Sequence, residues 1–577
     1  MADDLAIEQI KRYQSGKSYR ETRFDNDAQY IAQYCLPNDS VITTTKTEGV
    51  SGWTDLIFDT TAIQAAQVLA AGLFNSLTPQ TQPWIEYAPP EELDTEEGDE
   101  AAQWLGRASD ILMRELGRSN FYLVAGLSHL GRPVFGTDLV LAEEGEDTTL
   151  LFHHHRFGTY TIEENAFGLV DACRREFELT ARQVRQMFEP NARFPKQKIP
   201  ESLQNAIKGN NQKTFKFIHC VFPREDSKKL ARSAADRKPI ASVYISLDAQ
   251  ETCRVSGYDE SPILCSRFAK WGTGSPYGYG PGYLCLPDAR QVNYMQQFMD
   301  QVAELHANPR VLTPSNMDGD VDLRAGGVTT FDPMNPNAVP REWATAADYK
   351  LGMDLLEQKR QMIRDAFYNQ AFKLLNSQPL LDKSMTAYEI SQRLAEQLEQ
   401  VTPVVARCET EFVKPLGRRC FGILFRSGKL GQPPAALMRQ TGPNSQALVM
   451  PDVQVTSRFT DALKAIKNRG RTAAIDFALK LATEAQRPDV LDVFELDRTV
   501  IGYARDAGMA PDDIRAEHGK NSVQAIRQQR AQMAQQQRAA AMAEQLAKAG
   551  KNIGGAPEFM QQQVKDATSG SNGGRAA

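Results

Sequence analysis

Apolar positions recur three and four residues apart along most of this chain. Between Leu5 and Tyr34, Ile7, Ile10 and Tyr13, and later Tyr30, Ile31 and Tyr34, follow that spacing, which predicts helix. Asp59 to Leu77 is richly apolar and opens on Asp59, Thr60 and Thr61, residue types that cap helix N-termini. Glu91 to Leu116 starts on a block of acids, favoured at the positive end of a helix dipole. It then brings Trp104, Ile111, Leu112 and Leu116 onto one side.

From Pro133 the pattern changes. VFGTDLVLAEE, TLLFHHHRFGTYTI, KTFKFIHCVF and ASVYISL carry the β-branched and aromatic content of strands, with a helix expected over Thr180 to Phe188. This mixed region ends near Phe268. The run WGTGSPYGYGPGY, Trp271 to Tyr283, is too dense in glycine and proline for a regular helix. After it, LPDARQVNYMQQFMDQVAEL predicts a helix with Pro287 in its first turn and Val292, Met295, Met299 and Val302 along one face. Residues 309–341 are turn-rich, with a short strand expected at Arg310 to Thr313.

A long helix is predicted from Ala344 to Leu375, with a stripe of Leu351, Leu355, Met362, Ile363, Phe367 and Phe372. At about 1.5 Å per residue it would span about 48 Å. The polar segment Asn376 to Met385, inside AFKLLNSQPLLDKSMTAYEI, then interrupts. Thr386 and Glu389 form a capping box for the next long helix. Its stripe runs Ile390, Leu394, Leu398, Val401, Val405, Cys408, Phe412 and Leu416, with a kink expected at Pro403. The rest reads as helical with breaks near Pro433-Pro434 and Pro488. The last ordered piece is expected over Asn521 to Ala549, stopped by Gly550. Its apolar face is thin: Val523, Ile526, Met533, Met542 and Leu546. Such a helix packs against copies of itself or frays. DATSGSNGGRAA is disordered by composition. The fold class is therefore mixed α+β and predominantly helical.

The 577 residues carry a net charge of −6 and contain no uncharged apolar run of membrane-spanning length. The N-terminus lacks the features of a signal peptide. The charge is uneven: Arg515 to Ala577 holds nine Lys/Arg against four Asp/Glu. The eight cysteines are scattered, contain no CxxC pair, and fit reduced thiols. Cys253, Cys265 and Cys285 lack the ligand spacing of a zinc site, and no metal is expected. Gly16-Lys17-Ser18 ends like a phosphate loop, but the first glycine is missing and the approach is helical. The glycine run offers no Lys or Arg to a phosphate and contains two prolines; a bend or subunit-contact loop fits better. Of His153, His154 and His155, strand alternation lets only the first and last share an ion, and no acid or cysteine nearby completes a site. No nucleophile elbow is present. The chain shows no catalytic constellation and implies no cofactor.

The order of features has a counterpart. A glycine-rich approach precedes an LPD-initiated helix, a turn-rich excursion, a long helix, a loop, and MTAYEI (Met385 to Ile390) leading another long helix. This resembles the head-to-tail connector, or portal protein, of short-tailed bacteriophages, over roughly Gly52 to Phe425. The resemblance implies a ring of about twelve copies at one capsid vertex. It implies a wing over 1–285, stem helices over 286–308 and 342–375, and a clip over 309–341. It further implies a tunnel loop over 376–385, a long wing helix over 386–430, a crown over 431–518, a barrel helix over 519–552 and a disordered tail over 553–577.

In that reading Asn376, Ser377, Gln378, Asp382, Lys383 and Ser384 line a channel for double-stranded DNA. Lys383 is the only cation among them, so the loop touches phosphates without gripping them. Thr386 and Glu389 cap the helix at the loop exit. Arg310, Asp318, Asp320 and Arg324 sit on the clip facing the terminase large subunit and later the tail. Arg527, Arg530 and Arg538 face DNA in the barrel. The resemblance also implies contacts with major capsid, scaffolding, tail-adaptor and internal core proteins, assembly in the bacterial host cytoplasm, and no membrane. Two other classes stay open on the residues alone: a packaging NTPase, which needs a phosphate loop and clustered acids, and another virion structural protein.

Overall fold

The computed structural model describes residues 3–43, 56–89, 96–191, 194–227 and 238–307 with short gaps. It further describes residues 310–313, 321–322, 341–342, 349–370, 400–456 with one gap, scattered positions from 472 to 504, and 523–553. The chain divides into two compact units. The first comprises Met1–Ala88, Leu105–Gln432 and Met450–Ile475; the second comprises Pro89–Trp104, Pro433–Val449 and Asp476–Ala577.

In the first unit, α1 (Asp4–Arg20) begins where Asp3 accepts a hydrogen bond from the Leu5 amide. Its Ile10 and Tyr13 are buried as the spacing predicts, while Leu5 is buried in place of Ile7, which is only half-buried. A π-helical turn, Glu21–Asp25, separates it from α2 (Asn26–Cys35). Arg20 and Asp25, both buried, close that turn with a 2.9 Å ion pair. α3 (Thr61–Leu77) is capped by Asp59, whose carboxylate accepts from the Thr61 amide at 2.8 Å. β1 (Ile85–Ala88) follows, then α4 (Glu96–Arg118) and α5 (Phe121–Phe135). The acidic start expected at Glu91 lies outside the described residues. The buried stripe of α4 runs Leu105, Ala108, Leu112 and Leu116; Trp104 and Ile111 are only half-buried.

Two antiparallel sheets follow. β2 (Thr137–Glu144), β3 (Leu150–His155) and the later β9 (Ile263–Arg267) form one, in the order β3-β2-β9. β4 (Tyr160–Glu164), β5 (Val170–Thr180), β6 (Thr214–Pro223), β7 (Ile240–Ser246) and β8 (Glu251–Tyr258) form a five-stranded meander. Alternation along β6 serves two cores. Ile218 and Cys220 face Leu5, Ile10 and Tyr13 of α1. Phe215 and Phe217 face Val184 and Phe188 of α6 (Ala181–Phe188). α6 starts with a capping box of Thr180 and Gln183.

Several expectations are corrected here. Pro133, Val134 and Phe135 finish α5 and do not open a strand. TLLFHHHRFGTYTI is two strands in different sheets, turned at Gly158, whose φ is +94°. β5 was not legible because VDACRREFELT is crowded with charges. Among them Arg174 is fully buried, donates to Gln9 at 3.1 Å and lies 2.7 Å from Glu163.

The glycine run is explained by backbone packing. A Cβ on Gly280 would strike the backbone oxygen of Pro133, and one on Gly278 would lie 2.5 Å from the Ala269 oxygen. The run presses its main chain against the end of α5, and its β11 (Gly278–Tyr279) pairs with β10 (Ala269–Lys270), which directly precedes it. Gly16 and Lys17 lie inside α1, where Lys17 bonds Glu176 at 3.1 Å, so no phosphate loop forms there.

The three histidines take separate partners. His154 Nε2 lies 2.8 Å from Asp138 Oδ1, His155 is buried with Nδ1 3.5 Å from Arg175, and His153 sits 3.8 Å from Glu143. Among the described residues, no group of three or more His, Cys, Asp or Glu is placed to hold a metal. Burial alone would lower the His154 pKa, but the Asp138 carboxylate outweighs it and raises it above the ordinary value of 6.5. A raised imidazole stabilises the fold below its unfolded pKa and loses that contribution as pH rises through the folded one. The melting-temperature gap between the parent and His154→Gln is therefore expected to shrink from about pH 6 to about pH 8. A gap that widens with pH contradicts the pairing.

Downstream, α7 spans Pro281–Ala307, β12 (Val311–Leu312) pairs β13 (Arg341–Glu342), and α8 spans Tyr349–Ala366. Residues 400–408 are helical, Glu409–Val413 form a second π turn, and α9 is Lys414–Arg426. β16 (Asp452–Val455) pairs β1. In the second unit β14 (Met438–Gly442) and β15 (Ser445–Leu448) make a hairpin, where helix resuming after the break at Pro433-Pro434 was expected. α10 (Val523–Ile553) runs through Gly550 without stopping. Among the described residues no helix is long and apolar enough to cross a membrane.

Candidate channel and assembly surfaces

α7 starts five residues earlier than its LPD signal. Pro281 takes the first helical position, and Pro287 is accommodated inside the helix. Asn293 ties this helix to the entry of α3: its Oδ1 accepts from the Phe58 and Asp59 amides at 2.7 and 3.2 Å, and its Nδ2 donates to Leu56 at 2.8 Å. α8 packs back along α7. Gly352 admits Met299, Lys359 bonds Asp288 at 2.7 Å, and Arg360 reaches Asp59 at 2.7 Å. These pairings run in opposite senses along the two helices, so the helices are antiparallel. The excursion between them closes at its base on β12 and β13.

The buried face uses Val292, Met299 and Val302 of α7 with Leu356, Ile363 and Phe367 of α8. Leu355 and Met362, expected in that stripe, are exposed. α7 also presents a second apolar face to water. Leu284 is 62% exposed, Tyr294 70% and Phe298 53%. At about 100° per residue these three fall within an arc of about 80°. The expected continuous helix to Leu375 is not formed. α8 ends at Ala366, and Tyr368 adopts a φ of +53°, outside helical geometry.

The tunnel-loop residues Asn376, Ser377, Gln378, Asp382, Lys383 and Ser384, and the capping pair Thr386 and Glu389, lie outside the described residues. Of the clip residues, Arg310 is exposed beside β12, while Asp318, Asp320 and Arg324 lie outside the described residues. Arg527, Arg530 and Arg538 are exposed on α10. Their spacing puts them within about 80° of one another around the helix. Met533 and Met542 are also in water, at 60% and 68% exposure.

The helix that begins before α9 buries Val401, Val405, Cys408, Phe412 and Leu416, the stripe read from the sequence; Ile390, Leu394 and Leu398 lie outside the described residues. Its π turn carries Glu411, 9% exposed, onto Arg267 of β9, 1% exposed. The two carboxylate oxygens take Arg267 Nη2 at 2.7 Å and Nε at 3.1 Å, and Oε2 also accepts the Arg267 amide at 2.9 Å. Arg267 reaches on to Glu164 and to the Gly168 carbonyl, so one guanidinium fastens the π turn to the β4–β5 hairpin. Burial by itself would lower the Arg267 pKa; the Glu411 carboxylate overcomes this and raises it.

The pattern shared by the family described as "Bacteriophage head to tail connecting protein" matches residues 8–515. The chain belongs to that family. A probable portal protein of Bordetella phage BPP-1 is 29% identical over 528 residues, covering 89% of each chain. A portal protein of Salmonella phage epsilon15 is 25% identical over 540 residues, covering 92% of each. A chain from the virion of a native gene transfer agent particle aligns with 81% of this chain and 98% of its own length, at 10% identity and a TM-score of 0.36.

A helix on each side of 309–341 and a short strand at Arg310 to Thr313 were expected, and α7, α8 and β12 lie there. The exposed face of α7 and the Arg267–Glu411 node were not expected. The first was recoverable from the spacing of Leu284, Tyr294 and Phe298. The second was not, because 144 residues separate its partners.

Proposed function

We propose that the chain is a phage portal subunit and that copies of it close into a ring around a channel for double-stranded DNA. The observation that carries the ring is the outer face of α7. Leu284, Tyr294 and Phe298 are left in water by a single chain, on a helix whose other face is already satisfied by α8. Large aromatics in water on a rigid helix are what a neighbouring subunit covers. α7 and α8 are assigned to the stem, and the excursion based on β12 and β13 to the clip, with Arg310 offered to the terminase large subunit and then to the tail adaptor. The α+β region with the N-terminal helices is assigned to the wing, residues 431–518 to the crown and residues 519–552 to the barrel. Major capsid, scaffolding and internal core proteins are the other partners, at the portal vertex of a virion assembled in the host cytoplasm. The role is structural; the chain carries DNA past itself without cutting or hydrolysing anything.

Residues 376–385 are assigned to the channel rim. A loop between helices anchored elsewhere moves without unfolding its supports. Neutral hydrogen-bonding groups with one lysine let DNA slide, since every neutralised phosphate adds affinity. Deleting Gln378 to Lys383 is expected to leave assembly intact and to impair packaging or retention of DNA. Loss of assembly would make the segment structural and remove it from the channel. Truncation after Gly519 is expected to spare the ring body. End-on electron microscopy of the purified chain tests the function itself: rings with a central hole are expected, and sheets, fibres or lone monomers would overturn it.

A further inference from the structure

We propose that Arg175, His155 and His219 form an acid-sensitive latch between the two antiparallel sheets of the first unit, closed while both imidazoles are neutral and opened by their protonation. The latch does not depend on the channel reading. His155 belongs to β3 of the three-stranded sheet. Arg175 and His219 are register partners on β5 and β6 of the five-stranded one. The two sheets meet here, since β5 also packs against β9.

The hydrogen bonds fix where the ring protons sit. Arg175 Nε donates to His219 Nδ1 at 3.4 Å, and its Nη1 lies 3.5 Å from His155 Nδ1. A guanidinium only donates, so both Nδ1 atoms accept. The proton of His219 is then on Nε2, 2.9 Å from Ser242 Oγ. That of His155 is on Nε2, which is buried without a partner. A second proton on either ring must enter at Nδ1, where it would point at the N–H of a fixed cation. His219 has no room to turn away: it is fully buried, and its ring stacks on Tyr244 with centroids 4.0 Å apart.

The neighbouring elements compensate little. On β2, Glu143 already accepts from Tyr258 Oη at 2.7 Å and has His153 at 3.8 Å, while Asp138 holds His154. β8 adds a further cation, Arg254, 4.2 Å from the Tyr244 ring. β4 places Tyr160 opposite Arg175. β5 and β9 supply the Cys173 and Cys265 thiols. Burial raises the pKa of Tyr160 and of both thiols, so all three stay neutral under acid. Past the end of β3, Arg156 pairs with Asp39 at 3.0 Å. Burial first, and Arg175 next, hold His155 and His219 well below the ordinary value of 6.5.

A depressed imidazole contributes stability above its unfolded pKa and loses it as pH falls below about 6.5. Opening should therefore rise about tenfold per pH unit for each imidazole, about a hundredfold for the two. His153, lowered by burial, adds in the same sense. His154, whose pKa is raised, is protonated in both states below about 6.5 and adds no slope.

Hydrogen exchange of the assembled full-length chain from about pH 7.5 to about pH 5, corrected for the intrinsic pH dependence of exchange, tests the latch. Protection of residues 150–155, 170–180 and 214–223 is expected to fall below about pH 6 and to return on neutralisation, while α7 and α8 keep theirs. In His155→Gln combined with His219→Gln the dependence should drop from about a hundredfold per pH unit to about tenfold or less, what His153 leaves. Arg175→Met, at a half-buried position, should move the onset to lower pH, and it decides alone if the histidine pair folds poorly. Three results would overturn the proposal: unchanged protection down to about pH 5, loss in step with α7 and α8, or the parent's onset and slope in Arg175→Met.

Discussion

Glu411→Ala is expected to lower the unfolding free energy by about 3–5 kcal/mol, the cost of leaving a buried charge without its partner. Arg267 is 1% exposed and loses both its bidentate carboxylate and the acceptor for its own amide in that one change. Glu164 remains, but it is shared with Lys270 at 2.8 Å and cannot replace two fixed oxygens. The effect should be local before it is global. The π turn Glu409–Val413 adds a residue to the helical turn that places Glu411, and without that anchor the helix is free to relax toward ordinary α geometry. Hydrogen exchange should therefore rise first at residues 409–413 and at the β4–β5 hairpin. Arg267→Met combined with Glu411→Leu should recover much of the loss, since an apolar pair of similar volume needs no charge compensation. If Glu411→Ala melts like the parent, the node carries no stability and the assignment fails.

What was legible in the sequence was what local spacing encodes. The stripe Val401, Val405, Cys408, Phe412 and Leu416 is buried as read, Asp59 caps α3, and the strand beside Arg310 exists. The misses have a common cause in distance along the chain. Gly280 looked like a flexible bend; it is needed because Pro133 lies against it. β5 was not read as a strand because charges crowd it, yet its Arg174 is buried, meeting Gln9 and Glu163. Leu355 and Met362 were placed in the core stripe, but α8 rotates so that Leu356 and Ile363 face α7, a choice set by where Lys359 and Arg360 find Asp288 and Asp59. Of the candidate site, the tunnel-loop residues lie outside the described residues and Arg527, Arg530 and Arg538 are exposed on α10, while the proposed assembly surface needed the packed helix pair to reveal which face of α7 was left over.

The largest effect on assembly is expected from Tyr294→Asp combined with Phe298→Asp. In a lone chain both side chains are mostly in water, so the substitutions should change subunit stability by no more than about 0.5 kcal/mol. Between subunits each aromatic contributes about 2 kcal/mol of burial, and each carboxylate adds a desolvation cost on top. Losing two of them weakens a single contact by roughly a thousandfold. In the proposed ring every subunit would use the same contact, so closure would compound the loss. Light scattering should find the variant as monomers at concentrations where the parent forms rings, with unchanged melting of the subunit. A conservative Tyr294→Phe should assemble normally, which separates loss of apolar contact from loss of the hydroxyl. Rings of normal size from the double Asp variant would mean that this face of α7 is not buried between copies, and the stem would have to be built on another surface.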